Sequence, residues 1–167
     1  METALQLSGA AATARPDAGR PTVLVVDPSP EGRRIVRLSL AHAGYTIREA
    51  VDAVDALRLL QTLTPDAIVT GVSMPGPCNG LGLCDIVRAQ PGLRDCPVVV
   101  LSGPTDPDRL RRIDEAGASA LVVQPFSPAA LVDAVNGVVG QAKAAFASMR
   151  GQPHGALSPM TSLAIPE

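Results

Sequence analysis

The chain has 167 residues, enough for one α/β domain with its own hydrophobic core. Its formal net charge is −2, and charged residues make up 18% and aromatic residues 2% of the composition. This charge gives no sign of the basic patch that nucleic-acid-binding proteins usually have, and the few aromatic residues exclude the platform on which single-stranded nucleic acid stacks. We therefore expect no nucleic-acid partner.

Five short runs rich in β-branched residues predict strands. The first run is apolar throughout, as expected of a strand that is buried on both faces of a sheet. The second run is more polar and is therefore predicted at an edge of the sheet. In chain order the predicted strands are Val23–Val26, Tyr45–Glu49, Ala67–Thr70, Pro97–Leu101 and Ala120–Val123.

Five helices are predicted from apolar residues at helical spacing and from signals at the helix ends. Ser29-Pro30 and Ser127-Pro128 each suit an N-cap followed by proline in the first helical position. Gly44 and Gly117 follow the first and fourth helices, where glycine readily takes the left-handed conformation. The predicted helices are one from Pro30 that ends at Gly44, Asp52–Leu60, Gly80–Ala89, Pro107–Ala116 and one that begins at Pro128.

Strands that alternate with helices predict a parallel sheet covered by helices on both faces. Because such connections are right-handed, the predicted fold class is a doubly wound, five-stranded, three-layer α/β sandwich. Folds of this class bind ligands at the carboxyl ends of the strands, beside the point where the strand order reverses. The residues predicted at those ends are Asp27, Gly71, Ser102 and Gln124.

The two ends of the chain differ in composition from its middle. Residues 1–20 are small, polar and unpatterned, and the last residues are rich in glycine and proline. We therefore expect a disordered leader at 1–20, a folded domain at 21–145 and a flexible tail at 146–167. Glu2 gives the leader the wrong charge for a signal peptide, and no run reaches the length of a membrane span. The expected location is the cytoplasm, with no membrane partner.

The three cysteines, Cys78, Cys84 and Cys96, are odd in number and irregularly spaced, so they do not suit a disulfide framework. The two histidines, His42 and His154, lie far from them in the sequence, which argues against a metal site. We expect three reduced thiols, no bound metal and no cofactor.

Six segments of the chain together resemble the receiver domain of bacterial response regulators. They are Val25-Val26-Asp27, Arg33-Arg34-Ile35-Val36-Arg37, Ser73-Met74-Pro75-Gly76, Pro97 to Ser102, Gly117-Ala118-Ser119 and Gln124-Pro125-Phe126. Their order and spacing make the resemblance specific. It implies a flavodoxin-like, CheY-like fold, a role in two-component or phosphorelay signal transduction and no enzymatic activity. It also implies a cis peptide bond between Gln124 and Pro125.

The family's chemistry requires four kinds of group at the strand ends. An acidic pair after the first strand helps bind Mg²⁺, and an aspartate after the third strand accepts the phosphoryl group. A hydroxyl after the fourth strand binds a phosphoryl oxygen, and a lysine after the fifth strand neutralises charge. The metal and the lysine are needed because negative charge accumulates in the transition state.

At three of these positions the chain departs from the family pattern. Asp27 keeps the first acid of the pair, but Pro28 replaces the second. Gly71 stands at the phosphoacceptor position and Gln124 at the lysine position, and only Ser102 matches in full. This degenerate phosphorylation site predicts a pseudo-receiver that acts independently of phosphorylation, by binding another protein.

The resemblance implies that the partner surface is formed by helix four, strand five and helix five. Arg109 and Arg112 on the fourth helix and Leu121 in the fifth strand are the candidate contact residues. The same arginines are also typical of a solvated helix face that neighbouring acids partly balance. The expected partner is a histidine kinase, an output protein or another receiver.

Two other functions stay open at the level of sequence. One is a conventional phosphoaccepting receiver with an unrecognised acceptor, although Asp66 directly precedes the third predicted strand and so lies at the opposite end of the sheet. The other is a flavodoxin-like domain that binds a small ligand, although the loops after the strands lack a glycine-rich phosphate cradle.

Overall fold

The computed structural model describes residues 19–150, except for the side chain of Arg150. The predicted leader up to residue 18 and the part of the predicted tail beyond Arg150 lie outside the described residues. Five strands alternate with five helices, as the sequence predicts. The elements are β1 (Thr22–Val26), α1 (Pro30–His42), β2 (Thr46–Ala50), α2 (Ala53–Leu60), β3 (Ala67–Gly71), α3 (Gly80–Ala89), β4 (Val98–Ser102), α4 (Pro107–Glu115), β5 (Ala120–Val123) and α5 (Pro128–Arg150).

The five strands form one parallel sheet in the order β2-β1-β3-β4-β5. The predicted doubly wound α/β class is confirmed, and β2 lies at an edge as its polar sequence indicates. The order reverses between β1 and β3, which places the switch point beside the carboxyl ends of these two strands. Gly71 pairs with Leu101 and Ser102 pairs with Val123, so the ends of β3, β4 and β5 lie nearly level.

The core consists of two aliphatic clusters, one on each face of the sheet. Alternate residues of β1 enter opposite clusters: Leu24 and Val26 face α2, α3 and α4, whereas Val23 and Val25 face α1 and α5. All four side chains are at most 1% exposed. This alternation explains why the strand is apolar at every position.

Local capping positions the helices around the sheet. Ser29 caps α1 by accepting a hydrogen bond from the Gly32 N–H, and proline occupies the first helical position, as predicted. Gly44 and Gly117 have positive φ angles of 95° and 82°, which suits glycine because it has no Cβ. The predicted cis peptide bond between Gln124 and Pro125 is confirmed.

Helix α5 continues to Arg150, five residues beyond the end of the domain expected at residue 145. The segment 142–147 contains four alanines, the residue with the highest helix propensity, and no glycine or proline occurs after Gly140 until Gly151. The helix therefore extends past its last buried residue, Val139. None of the helices in the described part of the chain is long and apolar enough to cross a membrane.

The three cysteines are free thiols. Cys84 is buried, and burial raises its pKa to about 11. Burial raises the pKa of Cys96 to about 12. The nearby Arg88 guanidinium lowers the pKa of both thiols, but by less than burial raises it. Because the thiolate is the reactive form, Cys84 and Cys96 should be inert near neutral pH.

These raised pKa values predict a loss of stability at alkaline pH. Below about pH 9 both thiols keep their protons in the folded and the unfolded chain, so the stability is complete. As the pH rises from about 9 towards about 11, the unfolded chain loses these protons first and the free energy of unfolding falls. Urea unfolding across this pH range should show the fall.

The double variant Cys84→Ala, Cys96→Ala provides the comparison. Its stability should fall less steeply with pH, and the remaining slope includes Tyr45, whose pKa burial also raises. Cys78→Ala removes a thiol that is partly exposed, and this variant should keep most of the native slope. Equal slopes in the native chain and the double variant would contradict the assignment.

Candidate functional site

A cavity of about 290 Å³ opens at the carboxyl edge of the sheet, beside the switch point. Asp27, Gly71, Ser102 and Gln124 all line it, one from each of β1, β3, β4 and β5 or from the residue that follows the strand. The structure thus brings together four of the five residues predicted at the degenerate site. Pro28 is exposed in the loop that leads to α1 and does not line the cavity.

The Asp27 carboxylate is held against the start of α1. Its Oδ1 accepts a hydrogen bond of 2.7 Å from the Ser29 N–H. A Cβ atom on Gly32 would lie 2.8 Å from Oδ2, so the carboxylate occupies space that a larger residue at position 32 would need. Arg33 donates to the Asp27 carbonyl at 2.7 Å, which fixes the backbone as well. Asp27 therefore stabilises the entry to α1, where negative charge is favoured by the helix dipole.

Gly71 leaves open space at the end of β3. A Cβ atom added there would have one neighbour within 4 Å, the Ser73 carbonyl oxygen at 3.9 Å. The φ angle of Gly71 is not positive, so the backbone does not require glycine. A larger side chain would fit at this position. Glycine therefore leaves the position without a nucleophile, although there is space for one.

Ser102 is the buried hydroxyl of the site. The residue is 2% exposed, and its Oγ has no hydrogen-bond partner among the described residues. The neighbouring buried hydroxyl differs, because Thr70 donates to the Gly71 carbonyl at 3.1 Å. A buried hydroxyl without a partner is costly. Ser102 Oγ is the one buried side-chain oxygen or nitrogen of this kind among the described residues.

The positive charge at the cavity comes from α4, not from β5. Gln124, at the family's lysine position, is exposed and neutral, whereas Arg109 lines the cavity from the first turn of α4. From the sequence, Arg109 is expected only on the partner face and not at the site. The sequence does not indicate that Arg109 lies near Asp27 and Gly71. Whether its side chain reaches the cavity depends on the path of the loop between β4 and α4.

The three predicted partner-face residues do not form one surface feature. Arg109 and Arg112 line a second groove, of about 430 Å³, together with residues of the loop after β3 such as Ser73 and Met74. Leu121 is half-buried and packs against the core cluster beneath α4. The arginines therefore face the region of the site, whereas Leu121 mainly serves packing.

The residues present do not suit the Mg²⁺ ion that the resemblance implies. Mg²⁺ requires near-octahedral oxygen ligation, normally with one or two carboxylates. Asp27 contributes the only carboxylate among the residues that line the described cavity, and one of its oxygens is bonded to Ser29. Within residues 19–150, no three acidic, histidine or cysteine side chains come together as a metal site would need.

Comparisons with known proteins agree with this geometry. The family model for the response regulator receiver domain matches residues 23–136. The chain is 32% identical over 116 residues to the DNA-binding response regulator MtrA of Mycolicibacterium smegmatis, covering 70% of this chain and 49% of that protein. It is 35% identical over 112 residues to the gliding motility regulatory protein of Myxococcus xanthus, covering 67% of this chain and 14% of that protein.

Among solved structures, the chemotaxis response regulator CheY4 of Vibrio cholerae superimposes with a TM-score of 0.68 at 31% identity, covering 71% of this chain and 98% of CheY4. The receiver protein of Pseudomonas putida superimposes with a TM-score of 0.65 at 28% identity, covering 72% of this chain and 99% of that protein. The match to CheY4 spans nearly all of that protein, whereas the chain spans about half the length of MtrA.

Proposed function

The chain belongs to the family of response regulator receiver domains, which act in two-component signalling, and we propose that it acts there without accepting a phosphoryl group. The main support for this proposal is Gly71, which stands at the phosphoacceptor position. An acyl phosphate forms when a carboxylate oxygen attacks phosphorus, and glycine at the acceptor position has no such oxygen. The space around Gly71 would still accommodate an acceptor side chain, which supports the loss of that side chain and not a rearrangement of the site.

Among the described residues that line the cavity, Asp27 is the only acid, and the other candidate acceptor, Asp66, lies away from it. Asp66 precedes β3, at the opposite end of the strand, roughly 16 Å from Gly71 at about 3.3 Å per residue. Its Oδ2 accepts a hydrogen bond of 2.7 Å from the Thr22 N–H, which ties the starts of β1 and β3 together. The Asp27 carboxylate accepts a hydrogen bond from the Ser29 N–H, and Pro28 stands where the family has the second acid of the pair. A conventional phosphoaccepting receiver is therefore the weaker hypothesis.

We infer that the domain signals by binding a protein, through the surface of α4, β5 and α5. Leu110 on α4 and Val123 in β5 are exposed by 43% and 46% and supply apolar contact area on this surface. Arg111 on the same helix is paired with Asp108. Exposed apolar residues edged by charge are typical of a protein interface.

The test of phosphorylation independence compares treated and untreated protein. A binding partner is first isolated from cell extract by pull-down with the chain. The chain is then incubated with a small acyl phosphate and Mg²⁺ and desalted to remove every reversible ligand, and its affinity for that partner is measured. Treated and untreated protein should bind equally, because a ligand shifts an equilibrium only through a difference in affinity for its two states. A change in affinity that survives desalting would refute the proposal.

Val123→Asp tests the proposed surface. A charge at the centre of an apolar contact should weaken partner binding by about tenfold or more, the effect of one interface hot spot. Val54→Asp on α2 is the matched control, because Val54 is also valine and is 48% exposed but lies beside the opposite edge of the sheet. Equal losses in both variants, measured by calorimetry with the fold intact, would exclude α4, β5 and α5 as the interface.

A further inference from the structure

A groove of about 500 Å³ lies at the amino edge of the sheet, beside the last turns of α5. It is lined by the loops before β3 and β4, at Pro65 and Pro97, and by α5 from Val139 to Met149. The candidate functional site is at the opposite edge of the sheet. We propose that this groove is the docking site of the chain's own segment 154–165.

Helix α5 presents exposed apolar side chains to the groove. Phe146 and Met149 line it and are 58% and 80% exposed. The helix extends past Val139, its last buried residue, so the sheet does not fully cover these side chains. Because removal of apolar surface from water is favourable, the groove favours an apolar occupant.

The charged residues of the groove do not select a charged partner. Asp66, Asp95 and Lys143 line it and carry both signs, and the Asp66 carboxylate already accepts a hydrogen bond from the Thr22 N–H. Residues 151–166 include no aspartate, glutamate, lysine or arginine. This segment can therefore enter an apolar groove without the cost of burying one of these charges.

The large apolar residues of the segment are spaced to form one face. Leu157, Met160 and Leu163 recur at intervals of three. A polyproline II helix has three residues per turn and rises about 3.1 Å per residue, so it would place them on one side over about 19 Å. The α5 wall of the groove, from Val139 to Met149, is about 15 Å long at about 1.5 Å per residue. The apolar face and the groove therefore have similar lengths.

The connection to α5 favours this segment over a second copy of the chain. Gly151 and Pro153 follow Arg150, the last residue of α5, and are typical of a helix end at which the chain can turn back. A segment attached so near the groove has an effective concentration in the millimolar range, so a small contact can hold it. A stable dimer usually buries about 1,200–2,000 Å², far more than two exposed side chains supply.

Docking of the segment would cover the exposed faces of Phe146 and Met149. Uncovered apolar patches promote association with other proteins, so docking would keep this end of α5 from competing with the proposed partner surface. The inference differs from the expectation of a flexible tail, which rests on composition alone. It goes beyond the proposed function, and neither depends on the other.

The experiment uses the full chain with a single tryptophan as a probe of the segment. The native sequence contains no tryptophan, so Leu163→Trp and, separately, Leu157→Trp each report on one position. Their fluorescence should be shifted to shorter wavelength and be quenched less by acrylamide than that of N-acetyltryptophanamide, the reference for an exposed indole. The shift should be the same at every protein concentration. If both probes matched the reference, the proposal would be overturned.

Variants of the groove locate the contact. In the Leu163→Trp chain, Met149→Asp should shift the emission to longer wavelength, and the addition of Phe146→Asp should shift it further. Each places a charge in an apolar contact and should lower the ratio of docked to free segment about tenfold or more. Val54→Asp is the control, because Val54 is also apolar and 48% exposed but lies on α2, away from the groove, and it should leave the emission unchanged.

Circular dichroism shows whether each variant keeps its fold. Equal emission in the groove variants and in Val54→Asp, with the fold intact, would exclude the groove as the docking site. A shift to shorter wavelength that appeared only at high protein concentration, together with dimers in sedimentation, would overturn the proposal in favour of a second copy as the occupant.

Discussion

The triple variant Pro28→Asp, Gly71→Asp, Gln124→Lys should accept a phosphoryl group from a small acyl phosphate, whereas the native chain should not. The space for the new aspartate is already present, because a Cβ atom on Gly71 would have no neighbour closer than 3.9 Å. Ser102 already stands at the end of β4, buried and without a hydrogen-bond partner among the described residues. The three substitutions supply the nucleophile, a second carboxylate for Mg²⁺ and the missing cation.

Intermediate variants should divide this effect into its parts. Gly71→Asp alone provides a nucleophile without its metal or its cation, so it should react slowly. Adding the other two substitutions should raise the rate by about 10²-fold or more, the usual effect of a charge that stabilises a transition state. Intact mass after timed incubation with donor and Mg²⁺ measures each rate.

The matched control replaces the aspartate by its neutral isostere. Pro28→Asp, Gly71→Asn, Gln124→Lys has the same bulk at position 71 and the same metal and cation groups, but its amide is not the required nucleophile. It should remain unphosphorylated. A phosphorylated asparagine variant, or a folded aspartate variant that never reacts, would show that Gly71 is not what prevents phosphotransfer.

Gly80→Ala should destabilise the fold more than any other single glycine-to-alanine change in the part of the chain that the structure describes. A Cβ atom there would lie 1.9 Å from the Gly71 carbonyl oxygen and 2.8 Å from its carbonyl carbon, so backbone would have to move. The move would also strain the hydrogen bond of 3.0 Å from the Gly80 N–H to the Val72 carbonyl. We expect a loss of about 3 kcal/mol, the upper part of the usual range for overpacking.

Gly92→Ala is the control for this prediction. Its φ angle is not positive, and an added Cβ would meet nothing within 4 Å, so its stability should change by less than about 1 kcal/mol. Urea unfolding of both variants gives the comparison. If Gly80→Ala were as stable as Gly92→Ala, the close approach of α3 to the end of β3 would not be part of the fold in solution.

The order of elements could be predicted from sequence because the signals are local. The valines of β1 and β4 mark strands that are buried on both faces, and Ser29 and Gly44 mark the two ends of α1 by capping chemistry. The strand ends then follow, and with them the meeting of Asp27, Gly71, Ser102 and Gln124 at one edge of the sheet.

Other features depend on distances that no local pattern encodes. The role of Arg109 at the cavity follows from the path of the loop between β4 and α4, and the constraint on Gly80 follows from its contact with the Gly71 backbone. The unpartnered state of Ser102 depends on every group around it. The extension of α5 to Arg150, by contrast, has a local signal in the sequence. The alanines after Gly140 favour helix, and the domain end expected at residue 145 does not take them into account.

Intact-mass measurement shows whether the native chain forms an acyl phosphate. The chain is incubated with a small acyl phosphate and Mg²⁺, desalted and measured, with the triple aspartate variant alongside to show that the donor is active. The mass of the native chain should be unchanged while that of the variant increases by one phosphoryl group. An increase of the same size in the native chain, lost on treatment with hydroxylamine, would show that the chain accepts a phosphoryl group despite Gly71.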